Sequence, residues 1–557
     1  MKIVPICILL FVSLTTQADT ATGFVYEDIN GDGIRDKGEP GIKDVRVSNG
    51  KDVVETNSDG RYEVSIGAEA IVFITKPSNY NTALNSHNLP QFYYIHQPKG
   101  SPKAIKFKGI EPTGPLPESI NFGLQRTQEL SKFEAILLAD PQPETDAELS
   151  YIRDDLVAEL IGSNAQFGMS MGDLLYDDLS MFPRYNSIIA QVGVPWYNVA
   201  GNHELNLNAQ GDKYSLETFK RYFGPAYYSF EYGDVVFIVL DNIVYQGGGV
   251  VTADNLRGNG GYIAKFDETQ LKWLKNELSF IANDKLIFVA MHSPLKNSVS
   301  DRVTSNTSNK EKLFKLLKNR KHLYSVAGHT HTTEHVYFGP EDGFKGETPF
   351  HHHILTTVSG SWWSGPFDER GIPSAVQIDG TPNGYHILEI DGVKATVRFK
   401  AAGAATDFQM RIMFDKAQRS HTTGGMRDYR LGQLLDGQVN VDALFATSII
   451  VNVFDGGPRT KVSYTVAGRA PIEMTKVFLK DPHANELAIR YKDERQSWAA
   501  IVPSTHLWSA ELPAGLTAGT YTVSVVAIDE FGRSHHSHRI LEILGSSATP
   551  LGVSEFK

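Results

Sequence analysis

The sequence has almost no cysteine: Cys7 is the only one in 557 residues. Neither an intrachain disulfide nor a multi-thiolate metal site can therefore order this protein. Positive charge is also short, with 53 Lys and Arg against 64 Asp and Glu, a net charge of −11, and no basic cluster stands out. A nucleic-acid groove requires a basic face, so none is expected here. Long apolar runs are missing beyond the first, Ile3 to Leu14, whose twelve residues are too few to span a bilayer. No transmembrane anchor is expected. Lys2 precedes that run and Thr15-Thr16-Gln17-Ala18 follows it, which reads as a secretory signal peptide over 1–18, cut near Ala18. The expected product is exported, periplasmic or secreted, and free of cysteine. What remains is ordinary globular composition, 41% hydrophobic and 21% charged, long enough for three or four domains.

Short β-rich runs fill residues 19–125, among them Thr22-Gly-Phe-Val-Tyr, Arg61-Tyr-Glu-Val and Ala70-Ile-Val-Phe-Ile, with Asn, Gly, Asp and Pro between them. A small sandwich is the expected packing. The rhythm then changes. Over 130–400, strands such as Glu134-Ala-Ile-Leu-Leu and Val235-Val-Phe-Ile-Val alternate with helical spacing at 147–161, 268–281 and 310–317. That alternation predicts an α/β layer architecture. Residues 401–545 turn β again, with Ser448-Ile-Ile-Val-Asn-Val-Phe and Thr520-Tyr-Thr-Val-Ser-Val-Val, and predict a second sandwich-like domain.

Five segments of the middle region sit where a predicted strand ends. They are Asp140-Pro-Gln142, Gly172-Asp173-Leu-Leu-Tyr176, Gly201-Asn202-His203-Glu204, Val289-Ala-Met-His292 and Gly328-His329-Thr-His331. Open α/β sheets bind ligands beyond the carboxyl ends of their strands, so five distant segments can meet at one rim. Asp140 and Asp173 offer charge, Gln142 and Asn202 offer amide oxygens, and His292, His329 and His331 offer imidazoles. That mixture suits two divalent ions of Mn, Fe or Zn better than calcium. The glycine before Asp173, Asn202 and His329 is expected to let the chain turn sharply.

At these residues the chain resembles the calcineurin-like metallophosphoesterase superfamily, whose pattern is Asp-x-His, Gly-Asp, Gly-Asn-His-Asp/Glu, a lone His and Gly-His-x-His. The resemblance implies a four-layer αββα sandwich flanked by N- and C-terminal β-sandwich-like domains, and a dinuclear centre. Carried over, Asp173 bridges the metals, Asp140 and His331 complete one site, and Asn202, His292 and His329 complete the other. The implied activity is metal-dependent phosphoester hydrolysis, as phosphatase or phosphodiesterase, by a metal-bound hydroxide. His203 is the implied catalytic group, giving a proton or hydrogen bond to an oxygen of the reacting phosphoester. Glu204 orients His203 or caps the next helix, and the second, structural role is expected. Gln142 departs from the usual His and is similar to Mn-dependent ADP-ribose/CDP-alcohol diphosphatases. The segment ending in Tyr176 looks instead like purple acid phosphatases, whose Tyr binds ferric iron but which have Gly in place of Gln142. We expect Gln142 as ligand, Mn favoured, and Tyr176 beside the metals or facing substrate. The flanking domains, with Ser359-Gly-Ser-Trp-Trp-Ser-Gly and Asp379-Gly-Thr-Pro-Asn-Gly-Tyr385, look like exported bacterial three-domain metallophosphoesterases. Substrate and oligomeric state stay open. Alternatives are a nucleotide-type diphosphatase and a surface binding module with an inert core.

Other motifs fall outside that constellation. Asp28, Asn30, Asp32, Asp36 and Glu39 match the EF-loop ligand pattern but lie between strands, and resemble calcium loops of β-sandwich adhesins; the expectation is one structural Ca, the alternative an ion-free turn. Trp362 and Trp363 are candidates for a substrate-pocket wall or for packing on the C-terminal domain. Three adjacent histidines, His351, His352 and His353, are expected at the surface or behind the site. Gly247–Gly249 and Gly258–Gly261 lack the Lys-Ser/Thr and helix of a phosphate loop.

Overall fold

The computed structural model describes residues 19–248, 261–416 and 434–546. Residues 1–18, the expected signal peptide with Cys7, and most of the glycine-rich stretch, 249–260, lie outside the described residues.

The N-terminal strands form two four-stranded sheets. One holds Asp19–Glu27, Arg61–Ile66, Phe122–Arg126 and Tyr80–Thr82; the other holds Arg46–Ser48, Val53–Glu55, Ala70–Ile74 and Tyr93–His96. Strict alternation in Arg61–Ile66 turns Tyr62, Val64 and Ile66 inward. The loop 28–39 closes on itself. Asp28 accepts from the N–H groups of Gly31 and Gly33, Glu39 accepts from those of Ile29 and Asp36, and the Asn30 amide donates to Asp32 and Asp36. All five side chains of the EF-like pattern take part in that closure.

Two sheets face each other in the middle of the chain. The first runs Trp196–Asn198, Phe167–Ser170, Lys132–Leu138, Gly384–Asp391, Lys394–Ala401, with its first three strands parallel. The second runs Tyr228–Tyr232, Val235–Val239, Leu286–Ala290, His322–Ala327, Phe350–Ile354, Glu334–Phe338, with its four inner strands parallel. Both faces of each sheet are covered, which is why these strands read as near-continuous apolar runs. In Lys132–Leu138, Phe133, Ala135 and Leu137 join the core between the sheets, while Ile136 and Leu138 join the outer core under the helices. The helical stretch at 147–161 buries Leu149, Ile152, Leu156 and Leu160 there, starting from a Thr145–Glu148 capping box. Its centre, Ile152–Val157, widens into π-helical turns, which the apolar spacing did not foretell. On the far side, Glu268–Ser279 and Lys310–Leu317 pack Trp273, Leu274, Leu278, Leu313 and Phe314 onto the second sheet. The result is four layers, αββα.

The C-terminal domain is two five-stranded sheets closing on Val451, Trp508, Val523 and Val525. A helix, Pro482–Arg490, capped by Asp481, joins it without any warning in the sequence pattern.

Charge fixes the N-terminal domain to the centre. Arg46 Nε lies 3.1 Å from Glu277, both buried, and its other nitrogen pairs with Glu231. Thr75 and Ser229 also donate to Glu277. Removing one partner of a buried pair strands the other charge, at a cost of about 3–5 kcal/mol. Arg46→Ala should therefore lower the urea midpoint clearly and expose the N-terminal domain to limited proteolysis; an unchanged midpoint would show that this joint carries no load.

Candidate metal centre

Each of the five segments leaves the carboxyl end of a parallel strand. Asp140 and Gln142 follow Lys132–Leu138, Asp173 follows Phe167–Ser170, Asn202 follows Trp196–Asn198, His292 follows Leu286–Ala290, and His329 and His331 follow His322–Ala327. The two sheets present these ends at one rim. The backbone there is unusual. Asp140, Gln142, Asp173, Asp177, His329, His331, Trp362 and Trp363 all have positive φ. Such conformations cost of order 1–3 kcal/mol each and persist where surrounding structure enforces them.

The glycines act differently from expectation. Gly172 does need positive φ, at 86°. Gly201 and Gly328 do not; they make room. A Cβ on Gly201 would lie 2.3 Å from Asp173 Oδ1, and one on Gly328 would lie 2.2 Å from Asp140 Oδ2.

Around His292 Nε2, three donors lie at the same distance: Asp173 Oδ2, Asn202 Oδ1 and His329 Nδ1, each 3.1 Å away. His292 Nδ1 donates to the Met171 carbonyl at 2.8 Å, which aims Nε2 into the cluster. His331 is aimed likewise: its Nδ1 donates to Gly360 O at 2.6 Å, leaving Nε2 3.8 Å from Asp140 Oδ1. Two buried atoms here have no hydrogen-bond partner, His331 Nε2 and Gln142 Oε1. Both are lone-pair donors beside two buried carboxylates, and a cation satisfies such atoms. Gln142 Nε2 meanwhile donates to Asp173 Oδ2 at 2.6 Å. Donor chemistry, burial and spacing all fit a pair of divalent ions, so the seven residues are brought together.

The family model for calcineurin-like phosphoesterase matches residues 137–333. Models for the N-terminal and C-terminal parts of calcineurin-like phosphoesterase match residues 28–111 and 352–535. The chain belongs to the calcineurin-like phosphoesterases. It is thus a phosphoester hydrolase with the family's fold and flanking domains. Among solved structures, a dimetal phosphatase from Danio rerio is 17% identical, covering 48% of this chain and 96% of its own, with a TM-score of 0.33. A purple acid phosphatase from yellow lupin (Lupinus luteus) seeds is 12% identical, covering 64% and 67%, with a TM-score of 0.34. No curated protein matches the chain.

His203 stands beside this phosphoesterase centre. Its N–H donates to Asp173 Oδ1 at 2.9 Å, and its ring Nδ1 meets Asp177 Oδ1 at 2.7 Å. Asp177, missed in the sequence, is the orienting carboxylate. It lies one residue past the recognised segment, and its only signal was proximity to Tyr176. Glu204 instead accepts from the N–H groups of Asp173, Leu174, Leu175 and Gly201, and so holds two of the loops together. Tyr176 stacks on the His203 ring with centroids 4.7 Å apart. Trp498 of the C-terminal domain, half exposed, lies 6.3 Å from Tyr176 and nearly parallel to it. No local pattern marked Trp498.

The two adjacent tryptophans part company. Trp362 stacks on His331 at 3.8 Å. Trp363 turns into the outer core against Tyr151 and donates to the Pro141 carbonyl, so it does not wall a pocket. Of the three adjacent histidines, His352 and His353 are fully buried rather than at the surface, because their strand lies inside the second sheet, while His351 is partly exposed.

With no cation bound, protons compete for the ligands. Burial alone would lower His292, but Asp173 and Asp140 outweigh it and raise its pKa to about 9. Burial raises Asp140 to about 7. Burial likewise favours neutral His329 and His331, at about 3 and 4. A metal must displace the protons on His292 and Asp140, so affinity should rise with pH from about 6 to 9. Calorimetric titration of the apo protein with Mn²⁺ in buffers of different ionisation heat should show proton release at pH 7; a pH-independent affinity would contradict this ligand set.

Proposed function

We propose that the protein is an exported phosphomonoesterase or phosphodiesterase working through a dinuclear centre held by Asp140, Gln142, Asp173, Asn202, His292, His329 and His331. The observation that carries the reading is the pair of partnerless buried donors, Gln142 Oε1 and His331 Nε2, beside Asp140 and Asp173. When bound, two divalent ions supply charge to the phosphoryl oxygens and lower the pKa of a shared water. Asp173 would help hold both ions; burial works against its charge, and the neighbouring His292 and His203 outweigh that and keep it ionised. Asn202 and Gln142 contribute hard amide oxygens, which favour Mn²⁺ over Fe or Zn. His203, oriented by Asp177, hands a proton to the leaving oxygen. Tyr176 serves as the stacking face behind His203 rather than as a ligand. Export rests on the apolar stretch Ile3 to Leu14 with its flanks; among the described residues no helix is long and apolar enough to cross a membrane.

A second reading, a diphosphatase for nucleotide-like substrates, is favoured by the aromatic pair Tyr176 and Trp498 next to His203, since flat bases stack on such surfaces. For the loop 28–39 we propose one structural Ca²⁺, supported by the convergence of its five side chains. Adding Ca²⁺ should raise the Tm in wild type but not in Asp28→Ala, and an equal response in both would remove the ion.

The activity is tested with phenyl phosphate and p-nitrophenyl phosphate, with and without Mn²⁺. Asp173→Asn should lose metal and most turnover. His203→Ala should keep both metals yet lose roughly 10²–10⁴ in rate on phenyl phosphate and much less on the nitrophenyl ester, which hardly needs a proton. Equal losses on both esters would take the acid role from His203.

A further inference from the structure

A second cluster of metal-type side chains lies where the two central sheets meet the C-terminal domain. His335 and His353 face each other across the antiparallel pair Glu334–Phe338 and Phe350–Ile354. His386 comes from Gly384–Asp391 of the other sheet, and Asp455 from the turn after Thr447–Val453. The three imidazoles are fully buried. Their Nε2 atoms lie 3.3, 2.9 and 3.5 Å from Asp455 Oδ1 for His335, His353 and His386. Ligand atoms of His335, His353 and Asp455 all fall within 4.8 Å of one another.

A hydrogen-bonded knot does not account for all of this. His386 has no hydrogen-bond partner at either ring nitrogen, although its side chain is wholly buried. Burying an imidazole that way is costly unless something else engages it. The spacing suggests what does. With bonds of about 2.0–2.1 Å, two ligands on a zinc tetrahedron stand about 3.3–3.4 Å apart, close to the Nε2–Oδ1 distances here. The outer contacts agree. His353 Nδ1 bonds to the Tyr324 hydroxyl at 3.1 Å and His335 Nδ1 to His351 Nε2 at 2.9 Å. An Nδ1–H on each ring leaves its Nε2 lone pair directed at the cluster.

We propose that His335, His353, His386 and Asp455 form a closed, four-coordinate zinc site, distinct from the dinuclear centre. Three imidazoles and one carboxylate, all buried, suit structural Zn²⁺ rather than Mn²⁺. The site rivets three layers, since its ligands come from both central sheets and the C-terminal domain. His335 stands four residues after His331 in the chain, so the same rivet steadies the loop that carries that residue.

The test uses the full-length protein, stripped with chelator and reloaded with Co²⁺ or Zn²⁺. Wild type should take up three metal equivalents, and one Co²⁺ should show the intense visible bands of tetrahedral coordination. His386→Leu and Asp455→Ala should bind two and lose those bands. The double variant Asp173→Asn with His329→Ala, damaged only in the dinuclear centre, should keep them, so failure of that centre is told apart from failure of this one. Wild type needs no folded variant to be decisive: no tetrahedral band and no more than two equivalents would overturn the site, as would bands that survive in folded His386→Leu.

Discussion

Keeping Asp173 charged in a dry place is the constraint on which the centre depends. Burial pushes its pKa up, and His292 and His203 pull it well below the usual carboxylate range. The His203 N–H and the Gln142 amide both donate to it. Gly201 leaves the space it occupies, and Glu204 clamps the backbone around it. These neighbours come from three strand-end segments, those of Gln142, of Gly201 to Glu204 and of His292. The rim is held together through one carboxylate, and its positive φ angles are the local cost of that convergence.

The C-terminal domain is part of this arrangement rather than an appendage. Asp379 accepts from Thr333 N–H at 2.6 Å and meets His506 Nε2 at 3.0 Å, tying the segment just after His331 to the last domain. Trp498 brings an aromatic face to Tyr176. Asp455 enters the histidine cluster. Side chains of two domains therefore surround the candidate centre.

Much of this was legible in order along the chain. A strand followed by a polar residue of metal-binding type is a local pattern, and five of them in order along the chain outline the rim. Apolar spacing likewise marked Leu149, Ile152, Leu156 and Leu160 as one helical face. Less legible were features whose partners are distant in sequence. Asp177 reads as a turn residue until His203 is placed against it. His353 reads as surface in a polar triplet, yet its strand is internal. The π-helical turns at Ile152–Val157 keep the buried face without altering the spacing that a reader counts.

By itself, then, the amino-acid sequence determined the class of chemistry and the family, because metal ligands and strand ends are specified by short local runs. It determined the α/β alternation for the same reason, since periodicity is a property of neighbours. Tertiary structure alone decided which carboxylate orients His203, which tryptophan faces the centre, why Gly201 and Gly328 are glycines, and that three histidines and Asp455 meet. Those outcomes depend on how sheets and domains pack, and packing brings together side chains that no local pattern relates.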